Sequence, residues 1–184
     1  MVDLTIMVTK EQLKSVDKSE DIFPYGHIGT HFDVMNKEFP IAYTKLEGLI
    51  FDVSKVSNRD IDIDDINIKK LKKNLFVGFY TGFIDQVEYA TEKYNQQHPQ
   101  LSDALIDVLL DHEVAIIGVD FAGIRRGKEH PPKDQYCADK GTFVVENLCN
   151  LDKLLNKGSV RINTYPIKFG GMSGLPCRVI GEIL

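Results

Sequence analysis

Four short apolar runs constrain this chain more than any other feature: Leu49-Ile-Phe-Asp-Val53, Leu75-Phe-Val-Gly-Phe-Tyr80, Val114-Ala-Ile-Ile-Gly-Val119 and Thr142-Phe-Val-Val145. Each has the length and the β-branched or aromatic content of a strand. Helical signals lie between them. The clearest helix begins at Ser102, with Asp103 in its first turn and apolar residues at Leu105, Ile106, Leu109 and Leu110. Leu101 is placed to staple against Ile106. A second helix is predicted over Asp65 to Lys73, acidic at its start and lysine-rich at its end, as the helix dipole favours. Strands separated by helices predict an α/β chain. At 184 residues the length suits one domain spanning 1–184. A core of that size needs neither a disulfide nor a metal to fold.

Composition removes several classes. A formal net charge of −5 lacks the basic footprint of a nucleic-acid binder, so no nucleic-acid partner is expected. Lys69, Lys70, Lys72 and Lys73 have no aromatic residues interleaved for base stacking and read as a solvated face. The most apolar window, Leu105 to Ile124, is broken by Asp107, Asp111, His112, Glu113 and Asp120, which argues against a membrane helix. Three cysteines without a CxxC pair suit reduced thiols in a cytoplasmic protein. The start, Met-Val-Asp-Leu, lacks a basic region, and no signal peptide is expected. Asp60-Ile-Asp62-Ile-Asp64 imitates the opening of a calcium loop, but Asp65 stands where the loop requires Gly and Leu71 where it requires Glu.

The chemistry concentrates in His27-Ile-Gly-Thr-His31-Phe-Asp33, which holds two of the chain's five histidines. Gly29 makes a poor helix interior, and a flat strand would hold the two histidines ~13 Å apart, almost too far for one ion. A segment curled at Gly29 brings them together, because Gly tolerates the required backbone angles. Asp33 then points to the same side as His31. Two imidazoles and a carboxylate suit Zn²⁺ first, with Mn²⁺ or Fe²⁺ as alternatives. The spacing alone also permits two incidental loop histidines with Asp33 capping a turn.

His-x-Gly-Thr-His-x-Asp resembles the signature of the putative cyclase / kynurenine formamidase (arylformamidase) family of metal-dependent hydrolases. Gly141-Thr-Phe-Val-Val-Glu146-Asn-Leu-Cys-Asn-Leu is similar to a second block of that family, and Gly174-Leu-Pro176-Cys-Arg178 resembles its closing strand. The resemblance implies a swivelling β/β/α architecture, a homodimer or homotetramer, and hydrolysis of a small amide, N-formyl or lactam-type substrate. It places His27, His31 and Asp33 on the family's first-metal ligands and Glu146 on its strand-end glutamate. Two positions depart: Lys37 and Asp134 stand where the family carries histidines.

These departures predict a mononuclear site in which Lys37 compensates the charge of Asp134 and Glu146. Glu146 or Asp134 would act as general base, and Lys37 would stabilise an oxyanion. The competing expectation is a family member that binds one metal or a small molecule without turnover. A third reading is a two-carboxylate enzyme without metal. His130, ahead of Pro131-Pro132, reads with Arg125, Arg126 and Lys128 as a solvated polar loop bordering the site. His98 and His112 read as structural, and Cys137 and Cys149 as buried small hydrophobes. Gly170-Gly171 lacks the lysine of a phosphate loop and reads as a turn before the last strand.

Overall fold

The computed structural model describes residues 1–17 and 23–184. In chain order it comprises β1 (Val2–Asp3), α1 (Lys10–Asp17), α2 (Phe23–Gly26), β2 (His31–Asp33), β3 (Lys45–Asp52) and β4 (Leu75–Tyr80). There follow α3 (Phe83–Gln86), α4 (Glu92–Gln97), α5 (Asp103–Asp111), β5 (Ile116–Val119), α6 (His130–Asp139), β6 (Phe143–Glu146), β7 (Val160–Pro166) and β8 (Gly174–Ile183). The sheet runs β8-β2-β6-β5-β4-β3-β7 and closes through β7–β8 into a seven-strand barrel, with β1 added on β8. Strands β3, β4, β5 and β6 are mutually parallel, whereas β2, β7 and β8 pair antiparallel. The α/β expectation holds, and the four apolar runs correspond to β3, β4, β5 and β6.

Successive residues of the parallel strands enter different cores, as the two-residue strand period requires. Val77, Phe79, Ile117, Val119 and Val144 pack outward with Leu105, Ile106 and Leu109 of α5. Phe32, Leu46, Phe76, Ile116, Val145, Ile162 and Val179, one from each barrel strand, fill the interior. Gly118 makes room there, since a Cβ at that position would lie 2.6 Å from Phe76 Cζ. Ser102 caps α5 as expected, its hydroxyl accepting the Leu105 N–H at 3.0 Å.

The helix predicted over Asp65 to Lys73 does not form. Two single 3₁₀ turns, Ile63–Asp65 and Ile68–Lys70, take its place. Asp62 and Asp65 close a capping box on the first, and Asn67 accepts the Lys69 N–H to start the second. Short polar side chains that bond neighbouring backbone interrupt a continuous helix. Among the described residues, no helix is long and apolar enough to cross a membrane.

Candidate metal centre

The site is assembled on β2, which pairs with β6 on one side and β8 on the other. The register sets His31 opposite Glu146 and Asp33 opposite Val144, so His31, Asp33 and Glu146 share a face. The chain reaches β2 through a bend at Gly29, whose φ of +68° supplies the curl expected from the sequence. His27 Nδ1 thereby lies 3.0 Å from Asp33 Oδ1, and the His27 and His31 ring centroids are 5.0 Å apart. His27, His31 and Asp33 do come together.

His31 Nδ1 lies 2.9 Å from the Gly29 carbonyl oxygen. A carbonyl can only accept, so Nδ1 carries the proton and Nε2 presents its lone pair. Nε2 faces Asp33 Oδ1 at 3.8 Å and Glu146 Oε2 at 3.6 Å. Burial keeps the His31 imidazole below its ordinary pKa and therefore neutral, the form that binds a metal. A backbone acceptor behind a ligating imidazole is the usual second-shell support of such sites.

Asp134 also belongs to the cluster, but Lys37 does not. Lys37 Nζ sits 2.7 Å from Asp139 Oδ1, in a pair whose side chains are 38% and 50% exposed. The turn after β2 carries it outward, where hydration costs an ammonium nothing. The positive group among the carboxylates is His130, which the sequence assigned to a solvated loop. Its Nε2 lies 2.9 Å from Asp134 Oδ2, 3.0 Å from Glu146 Oε1 and 3.8 Å from Asp33 Oδ2. Pro131 and Pro132 are the reason. At the first helical positions proline costs no hydrogen bond, so they open α6 rather than prolong a loop. His130 and Asp134, four residues apart, then share one helix face.

Charge within the cluster is unevenly spread. Burial alone would raise the Asp33 carboxyl, but His130, His27 and His31 hold it far below the usual range. Burial and Asp33 push Glu146 well up, and burial pushes Asp134 up to about 7. For His130, burial acts downward, but Asp134, Asp33 and Glu146 outweigh it and keep the imidazolium charged. Three buried carboxylate oxygens still accept no hydrogen bond: Asp33 Oδ2, Asp134 Oδ1 and Glu146 Oε1. The last is near His130 Nε2 but not aligned for one. Acceptors buried without donors are costly, and a divalent cation would satisfy them. The donor set of nitrogen and carboxylate oxygen fits Zn²⁺, Mn²⁺ or Fe²⁺. His27, His31 and Asp33 form one candidate donor group; Asp33, His130, Asp134 and Glu146 form a second that overlaps it.

Supporting residues come from distant parts of the chain. Asn147 donates from Nδ2 to the Gly29 carbonyl at 2.9 Å and accepts from Tyr94 Oη at 2.8 Å. Ser173 Oγ lies 3.0 Å from His27 Nε2. Above the cluster opens a cavity of about 580 Å³, walled by Pro24, Ile28, Met35, Tyr89, Ala122 and Pro131.

Fold and site together define a mixed seven-strand barrel with a histidine–carboxylate centre for a divalent ion at the mouth of an apolar cavity. A family model described as putative cyclase matches residues 2–125, and the chain belongs to that family. One similar solved structure is a potential metal-dependent hydrolase with cyclase activity, 25% identical, with a TM-score of 0.67 over 84% of this chain and 76% of that one. A predicted metal-dependent hydrolase from Bacillus stearothermophilus is 21% identical, with a TM-score of 0.73 over 97% and 95% of the two chains. Isatin hydrolase A from Ralstonia solanacearum is 20% identical, with a TM-score of 0.70 over 85% and 72%. No curated protein matches the chain.

Proposed function

We propose that this protein is a metal-dependent hydrolase that cleaves a non-peptide carbon–nitrogen bond in a small amide, N-formyl or lactam-type substrate. The observation that carries this reading is a pair of histidine–carboxylate donor groups that meet at Asp33, in which Asp33 Oδ2, Asp134 Oδ1 and Glu146 Oε1 are buried without a hydrogen-bond donor. His27, His31 and Asp33 would hold one ion, which when bound supplies Lewis-acid polarisation of a carbonyl and a more acidic water. His130 takes the place of a second cation: its imidazolium already compensates Asp134 and Glu146. Glu146, directly across the ladder from His31, accepts a proton at its carboxylate and returns it to the departing nitrogen. The apolar walls bind the body of the substrate and exclude bulk water.

The test is elemental analysis of protein purified without chelators, together with turnover of N-formyl anilides and cyclic imides. The expected result is one transition-metal equivalent per chain and turnover that Glu146→Gln abolishes while metal is retained. Full metal loading with no turnover across that panel would favour a non-catalytic binding protein.

A further inference from the structure

Tyr89 enters the cavity from the segment between α3 and α4, far in sequence from every residue of the metal centre. Its hydroxyl oxygen accepts the Gly29 N–H at 2.7 Å. The accepted bond orients the oxygen, and the phenol keeps one hydrogen to give. Among the described residues no acceptor takes it. The ring is fixed edge-on against Tyr94, with centroids 5.4 Å apart. Burial raises the phenol above its ordinary pKa and the nearby Glu146 charge adds to this, so the group stays protonated. Tyr89 lines the same cavity as His27, His31, Asp33 and Glu146. The carboxylates Asp33, Asp134 and Glu146 also line it, the His130 imidazolium is engaged with them, and Lys37 is paired to Asp139 outside the cluster.

Resting on the hydrolase reading, we propose that the Tyr89 hydroxyl is a substrate-binding donor that receives the carbonyl oxygen of an uncharged amide. A bound carbonyl oxygen completes its hydrogen bonding. The same bond strengthens as that oxygen gains negative charge, because a hydrogen bond to a charged acceptor is the stronger kind. Tyr89 thus fills the place that the sequence gave to Lys37. A neutral phenol, unlike an ammonium, does not favour an anionic substrate over a neutral one. The bond to Gly29 also ties this donor to the loop between His27 and His31, so that the carbonyl and the ion's ligands share one frame.

The probe pair is benzamide labelled with ¹³C at the carbonyl, and thiobenzamide, whose sulfur is a poor hydrogen-bond acceptor. Binding is measured by calorimetry, and the bound carbonyl stretch by isotope-edited infrared spectroscopy, on the parent and on Tyr89→Phe. We expect the variant to bind benzamide about fivefold more weakly, as one lost neutral hydrogen bond implies. Its bound carbonyl stretch should lie at higher frequency, its affinity for thiobenzamide should be unchanged, and its metal content should equal the parent's. On a substrate that the parent turns over, kcat should fall by more than KM rises. Equal losses for the two probes, or an unchanged stretch, would overturn the assignment and leave Tyr89 as a brace for Gly29. Loss of metal in the variant would do the same. Binding without turnover in the metal-loaded parent would sink the hydrolase reading while leaving the donor in place. Failure of the parent to bind benzamide at all would remove the amide class and Tyr89's part in it.

Discussion

His130→Gln tests whether an imidazolium holds the carboxylates together. In chelator, where no ion can compensate, the substitution removes the contacts at 2.9 Å to Asp134 and 3.0 Å to Glu146 and the longer one to Asp33. A hydrogen bond to a charged group contributes roughly 1.5–3 kcal/mol, and removing one partner of a fully buried pair costs about 3–5 kcal/mol. The full penalty does not apply here. The His130 side chain is 30% exposed, and Asp134, with its pKa near 7, can take up the proton that His130 leaves behind. The expected loss is about 2–3 kcal/mol at neutral pH. For a chain of this length that is a fall in Tm of roughly 4–12 °C. Urea unfolding at pH 7 in EDTA, with matched m-values, measures it directly. Gln keeps a polar side chain of similar length, so steric collapse is not the dominant effect. Stability within about 0.5 kcal/mol of the parent would refute the ionic role and reopen the second donor group to a metal ion.

Lys37→Met is the contrasting variant: its exposed pair with Asp139 should contribute little, and urea midpoints should agree within about 0.5 kcal/mol. Asn147→Ala breaks the bonds to Gly29 and Tyr94, so metal affinity measured by competition with a chelator should fall about 10- to 100-fold. Ser102→Ala removes the cap of α5 and should cost about 1 kcal/mol without changing metal content. His98 is buried against Phe121, and burial drives its pKa down to about 4. The unfolded chain therefore takes up a proton near pH 6.5 that the folded chain refuses. Stability is complete above that pH and declines by about 3 kcal/mol as pH falls from 6.5 to 4. His98→Gln should flatten this acid limb in urea titrations.

The legible part of the fold follows from burial on both faces. β4 reads Leu-Phe-Val-Gly-Phe-Tyr because parallel strands in this barrel meet one core inside and another under α5. Such runs stand out in any sequence. β7 instead alternates buried and part-exposed positions through Val160, Arg161, Ile162 and Asn163, a weaker signal that the apolar-run criterion passes over. β2 is three residues long, and two of them are ionisable. Nothing in its composition marks it as a strand, since its place is fixed by the ladders with β6 and β8 rather than by its own propensity. The helix expected over Asp65 to Lys73 fails the other way: its charges suit a helix, but the side chain of Asn67, its third residue, accepts the Lys69 N–H and starts a separate turn.

The centre was half legible for a related reason. His27, His31 and Asp33 lie in one short segment, and a glycine that must adopt positive φ announces the bend that joins them. Their partners are brought by pairing and by a helix face. Glu146 faces His31 only because β2 and β6 adopt that register, and a strand slip of one residue would send it to the other side of the sheet. For His130 a local signal existed. His-Pro-Pro-Lys-Asp is a helix start with prolines at its first positions, and in a helix the first and fifth residues meet. Read as a loop signal, the same prolines leave Asp134 without a cation, and the positive charge then falls to Lys37, which stands where the resembled family carries a histidine. The electrostatic reasoning survives: buried carboxylates at this density require a positive partner. What changes is its source. A histidine already fixed by a helix can compensate the carboxylates with little loss of side-chain freedom, whereas a lysine on a turn would give up hydration and several rotamers to reach them.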